Sequence, residues 1–228
     1  MIKMIFQRPA EQRRYLLLDI DTQKDFLLAE GKACVQNHSE VLSNIRRIIA
    51  WSRHQHIPVI STAKVHPNHN GASAITYCVD GTTGMNKISY TLLNNRASFP
   101  ADDFNALPAD LWRSYRQIIL HKRCTDPFDE PRIERLLSEI QVDEFFLMGA
   151  GTEDAVKATA LGLLHRSKKV SIIVDALGSH NHKEARFAIR MIKAKGANLI
   201  VTGDLAGNSG LHHVGVCKCK ICRKNRYI

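Results

Sequence analysis

Six short apolar runs, rich in branched residues, recur along the chain: YLLLDID (15–21), IPVISTA (57–63), QIILHK (117–122), EFFLMG (144–149), VSIIVDA (170–176) and NLIVT (198–202). Runs of this length without polar alternation predict strands buried on both faces, as in a parallel sheet. Between them the apolar positions change to a spacing of three and four. SEVLSNIRRIIAWSRHQ places Val41, Leu42, Ile45, Ile48 and Ile49 on one helical face. EPRIERLLSEI, DAVKATALGLLHRS and KEARFAIRMIKAKG behave similarly, and the last closes on a glycine stop. Strand–helix alternation predicts βαβ units, hence an α/β fold: three layers, α/β/α, around a six-stranded parallel sheet of Rossmann-like type. Residues 64–110 break the rhythm with Gly, Asn and Pro, and are expected to run as a long excursion over the top of the sheet. The division expected is a main domain at 1–205 and a Cys-rich, basic appendage at 206–228.

Composition adds limits. The 228 residues, 44% of them apolar, suit one large α/β domain with a real core. No stretch approaches the roughly 18 continuous apolar residues of a membrane span, and the opening MIKMIFQRPAEQRR lacks a signal peptide's apolar run. A cytoplasmic protein with no membrane partner is expected. The net charge of +10 would permit binding to nucleic acid, but only the tail KCKICRKNRYI concentrates basic residues without any acid.

Ligands of open parallel sheets bind outside the carboxyl ends of the strands. That rule selects Asp19, Asp21, Lys64, His66, Lys122, the stretch 149–155 and Asp175. Asp21, Lys122 and a helix N-terminus would converge at this rim, with Thr152 as N-cap and Glu153 and Asp154 suiting the positive end of the dipole. A cysteine in that first turn would be held as a thiolate by the dipole and a lysine, with a carboxylate as its base. Position 155 carries alanine instead. Asp19, one step deeper on the same strand, is expected to pair with a basic residue.

Three separated motifs resemble the isochorismatase-like cysteine hydrolases, the family of nicotinamidases and N-carbamoyl amidohydrolases. LLLDIDTQKDF resembles the opening strand with its D-x-Q-x-D-F, HKRCTDPF the lysine segment, and GAGTEDAV the G-x-x-T-D-x-C-V turn, whose residue pair before Thr commonly has a cis peptide. The resemblance spans roughly 15–205 and implies strand order 3-2-1-4-5-6, a small-molecule amide or carbamoyl-type pocket and a homo-oligomer. It further implies that Asp21, Lys122 and position 155 are the catalytic positions, and that Phe26, Phe128, Ala150, Gly151 and Thr152 surround the substrate. Asp21 would take the thiol proton, Lys122 would support charge, and backbone N–H groups at 150–155 would hold an oxyanion. A methyl group cannot attack. The chain therefore reads as a pseudoenzyme, or as a Cys→Ala variant of an active hydrolase, and Cys124 is a remote candidate for a relocated nucleophile.

The family's Asp-x-His metal pattern becomes KVHPNH, with Lys64 where the acid would stand and His66 and His69 retained. Zinc is expected elsewhere, in the tail, where Cys217, Cys219 and Cys222 can form a structural Cys3His set with His213 or, alternatively, His212. No organic cofactor is expected. Two rivals remain: a non-catalytic binding or scaffold protein acting through that tail, and a dinucleotide-binding protein with GAGTED as its glycine turn and Asp175 as its ribose acid. Against the second, Glu153 and Asp154 would face a pyrophosphate.

Overall fold

Each of the six apolar runs becomes a strand, and a seventh joins them. The computed structural model describes residues 14–68 and 75–207. Its strands are β1 (Tyr15–Ile20), β2 (Val59–Lys64), β3 (Arg96–Phe99), β4 (Gln117–Lys122), β5 (Glu144–Ala150), β6 (Val170–Gly178) and β7 (Asn198–Ile200). They lie in the order β3-β4-β2-β1-β5-β6-β7, all paired parallel. Without β3 this is the expected six-strand order. The added strand corrects the expected count: its four residues alternate between exposed and half-buried, and it pairs only with β4 at the sheet's edge. Its residues Arg96, Ala97 and Ser98 bury little, so β3 leaves no apolar run in the sequence.

The helices are α1 (Lys24–Leu27), α2 (His38–His54), α3 (Leu111–Ser114), α4 (Pro131–Glu139), α5 (Lys157–His165), α6 (His182–Ala194) and α7 (Thr202–Ala206). Along β1, alternate side chains serve opposite faces of the sheet. Leu16, Leu18 and Ile20 pack with Leu136 and Leu137 of α4 and Leu163 of α5. Leu17 packs with Val41, Ile45, Ile48 and Ile49 of α2. The result is three layers. Helix α7 ends one residue past the expected domain boundary, and the rest of the appendage beyond Gly207 lies outside the described residues. No helix among the described residues is long and apolar enough to cross a membrane.

The excursion is fastened to the sheet by buried polar groups. Asp19 is fully buried and accepts from Lys87 Nζ at 3.0 Å and from Ser61 Oγ at 2.7 Å. Its expected basic partner thus comes from the excursion. Gln117 continues the network, donating to Ser61 Oγ and Thr91 O and accepting from Leu93 N. Two further residues of the D-x-Q-x-D-F motif act the same way. Gln23 donates to the carbonyls of Lys64 and Met85, each at 2.7 Å, and accepts from Lys64 N. Asp25 accepts from Cys78 N at 2.7 Å and Lys32 N at 3.2 Å. A chain with few apolar anchors is positioned instead by satisfied buried hydrogen bonds, which are costly to break singly.

Candidate active site

At the end of β1 the backbone turns sharply: Asp21 has φ +48°, in the left-handed region that non-glycine residues rarely enter. Its N–H donates to Thr62 O, and Thr62 Oγ1 donates to Asp21 Oδ1 at 2.6 Å. These bonds aim the carboxylate at Lys122, whose Nζ lies 2.7 Å from Asp21 Oδ2. Lys122 is fully buried and also donates to the carbonyl of Cys124 at 3.2 Å. Strand pairing sets Lys64 of β2 beside Lys122 of β4, which brings a second lysine to the same rim.

The opposite wall comes from β5. Gly149 lets β5 approach β1 closely: a Cβ there would fall 1.9 Å from Ile20 O. Gly151 then adopts φ +75° and caps a π-helical turn over Thr152–Val156, which runs on into α5. This corrects the reading of Thr152, since Gly151 takes the cap position. Thr152 is buried and donates to Gly178 O at 2.8 Å, tying the turn to β6. The described peptide bonds are all trans, Ala150–Gly151 included. Glu153 turns away from the rim as well. Its Oε1 accepts from the N–H groups of His180 and Asn181 at 2.7 and 2.9 Å, which fixes His180 beside the site.

These elements enclose a cavity of about 280 Å³. Asp21, Lys122, Ala155, Phe26, Ala150 and Gly151 all line it. Phe128 does not; its ring covers Gly162 of α5, where a Cβ would come within 2.2 Å, and the Arg166 guanidinium sits 3.9 Å above it. Thr152 is likewise absent from the lining. Cys124 is exposed outside it, although Thr125 takes part. Lys64 and Asp154, both singled out in the sequence, join the wall together with three residues that were not, Ala33, Tyr77 and His180. His180 follows the end of β6, so the strand-end rule points to it; Tyr77 lies in the excursion and carries no such signal. Phe26 stands between Tyr77 and His180, with ring centroids 5.6 and 6.1 Å away, which makes one side of the cavity aromatic.

The environment shifts several protonation equilibria. Burial, then the Lys122 ammonium, lowers the pKa of Lys64, with Asp21 partly offsetting both. Burial pushes the Cys78 thiol up, so it is no thiolate reserve. His66 is lowered by burial, then by Lys64 and Lys122; His121 is lowered by burial, then by Lys87. Both histidines fold neutral, so the unfolded chain binds more protons. Their contribution is complete above the unfolded value of about 6.5 and is lost as pH falls through the lower folded values. Urea unfolding should therefore show stability declining on acidification below about pH 6.5, with a shallower decline in His66→Gln/His121→Gln. An unchanged slope would assign the acid sensitivity to other groups.

A metal ion does not fit the residues at KVHPNH. Lys64 Nζ is turned to the carbonyl of Arg123 at 2.7 Å, and its ammonium occupies the place of an anionic ligand. His66 stacks edge-on against Tyr77 with its Nε2 buried and without a hydrogen-bond partner among the described residues. No group of three or more His, Cys, Asp or Glu residues suited to a metal occurs among the described residues. His69, His212, His213, Cys217, Cys219 and Cys222 lie outside them. The dinucleotide reading also loses its ribose acid, since Asp175 Oδ1 accepts from both N and Oγ1 of Thr202, at 2.8 and 2.9 Å.

The sequence profile of the isochorismatase domain matches residues 15–204. Nicotinamidase of Escherichia coli K12 is 25% identical over 210 residues, which cover 85% of this chain and 98% of that protein. Among solved structures, an isochorismatase family protein of Desulfovibrio vulgaris superposes with a TM-score of 0.68 at 19% identity, covering 85% of this chain and 97% of its own. Pyrazinamidase of Pyrococcus horikoshii in complex with zinc gives 0.65 at 19% identity, covering 82% and 99%.

Proposed function

Because the chain belongs to the isochorismatase domain family, we propose that its cavity binds a small amide- or carbamoyl-type molecule and does not hydrolyse it through a thiol. The observation that carries this reading is the placement of Asp21, Lys122 and Ala155 around one cavity. In a cysteine hydrolase the thiolate attacks an acyl carbon and a tetrahedral oxyanion forms beside backbone N–H donors. Here Asp21 and Lys122 form an ion pair at 2.7 Å, but the residue facing them has no heteroatom to donate an electron pair. Asp21 has no thiol proton to take, and Lys122 has no thiolate to support. Binding is what remains: Phe26 offers a ring face, and Ala150, Gly151 and Ala155 leave space for a flat group.

Nicotinamidase acts on a ligand of the size this cavity admits, so the direct test is ammonia release. The full chain should release none from nicotinamide or pyrazinamide above the buffer rate, while monocyclic ligands are detected by calorimetry. Ala155→Phe, which fills the floor, should abolish the binding heat. Turnover that survives Cys124→Ser would sink this reading and demand another nucleophile. The zinc-holding tail at His213, Cys217, Cys219 and Cys222, and with it the scaffold alternative, is a second proposal that rests on ligand spacing alone.

A further inference from the structure

The buried charges at the cavity do not balance. Two lysines and one aspartate reach it from the strand ends, and Asp21 is already paired with Lys122 at 2.7 Å. Lys64 is 9% exposed and has no carboxylate within ion-pair distance among the described residues. Its one hydrogen bond, to Arg123 O, leaves two of the three ammonium donors without an acceptor among the described residues. Asp154 also lines the cavity, but it is exposed, where water and salt screen it. An ammonium thus stands where the family pattern has an acid, and it reverses the sign of the charge at this point of the rim. The aromatic side formed by Phe26, Tyr77 and His180 matches a flat ring, and about 280 Å³ holds only a small one.

We propose that the cavity selects a small planar ligand bearing a carboxylate, and that Lys64 is the residue that reads its negative charge. A carboxylate offers lone pairs to the two open donors and returns the cavity to neutrality, whereas a neutral carboxamide supplies only a dipole. This rests on the reading of the cavity as a small-molecule site, and the test separates the two. Calorimetry on the full chain would compare two matched pairs, benzoate with benzamide and nicotinate with nicotinamide, at low salt and pH 7. Each acid should bind about tenfold more tightly than its amide. Lys64→Met should remove that preference, and Lys64→Arg should preserve it, which guards against a variant that merely misfolds. Amides binding as tightly as acids, or a preference that survives Lys64→Met, would overturn the assignment and leave the small-molecule reading standing. Binding by none of the four would overturn both.

Discussion

Ala155→Cys should carry a thiol that is half ionised below about pH 7.5, a unit or more under the value of about 8.5 for a free cysteine. Position 155 lies in the first turn of a continuous helical segment, where the partial positive charge of the backbone is greatest, and it shares a cavity with Lys64 and Lys122. Asp21 opposes the shift, but its charge is engaged by Lys122 at 2.7 Å. The readout matters. One unit raises the thiolate fraction at pH 7 roughly eightfold, yet the weaker base is about threefold less nucleophilic, so the rate gain is only about threefold. The midpoint of the pH–rate profile is therefore the measurement, followed by mass spectrometry at the peptide containing position 155, because the chain has six other cysteines. A midpoint at or above 8.5 would mean that the turn is not built to hold a thiolate. The same variant reports on Lys64: the ratio of iodoacetate to iodoacetamide reaction should exceed that of free cysteine.

Lys87→Met should cost about 3–5 kcal/mol of folding stability, among the largest losses available to a single substitution. Lys87 and Asp19 are almost fully buried, and removing the ammonium leaves a carboxylate with only Ser61 as a side-chain donor. Asp19 Oδ1 already has no hydrogen-bond partner. Against a typical domain stability of about 5–15 kcal/mol, such a loss would show plainly in urea unfolding. Asp19→Asn/Lys87→Met should recover much of it, since an uncharged amide still accepts from Ser61 and no ion is stranded. A single-variant loss under about 1 kcal/mol would mean that water reaches the pair.

How far the sequence could be read depended on the distance over which each residue finds its partner. Strands β1, β2 and β4 to β6 announce themselves because a strand buried on both faces must be apolar throughout; β7, at the other edge, does so through half-buried Leu199 and Ile200, and α2 through its spacing. Strand β3 does not, since Arg96 and Ser98 are exposed at an edge. The convergence of Asp21, Lys122 and Ala155 followed from the strand-end rule together with the resemblance. Phe128 was expected at the substrate from the resemblance of HKRCTDPF, which says nothing about the direction of the ring; it packs over Gly162 and beneath Arg166. Thr152 was misread because the local pattern of a cap cannot reveal a carbonyl on another strand, Gly178 O. Tyr77 and Lys87 sit in a stretch without periodicity, and their partners lie many residues away. The site's location was therefore local information, whereas its charge balance was not.

The central place of β1 has a consequence for synthesis on the ribosome. Tyr15–Ile20 emerges before the other six strands, and β2 can pair one side of it soon after. Its other neighbour begins at Glu144, about 130 residues later. At a translation rate of about 5–20 residues per second, that side stays open for roughly 7–25 seconds. During that interval the growing chain offers unmatched amide and carbonyl groups beside an almost wholly apolar surface, the combination on which stray strands add most readily. Residues 15–143 alone should therefore associate through the open side of β1, which sedimentation beside the full chain would show.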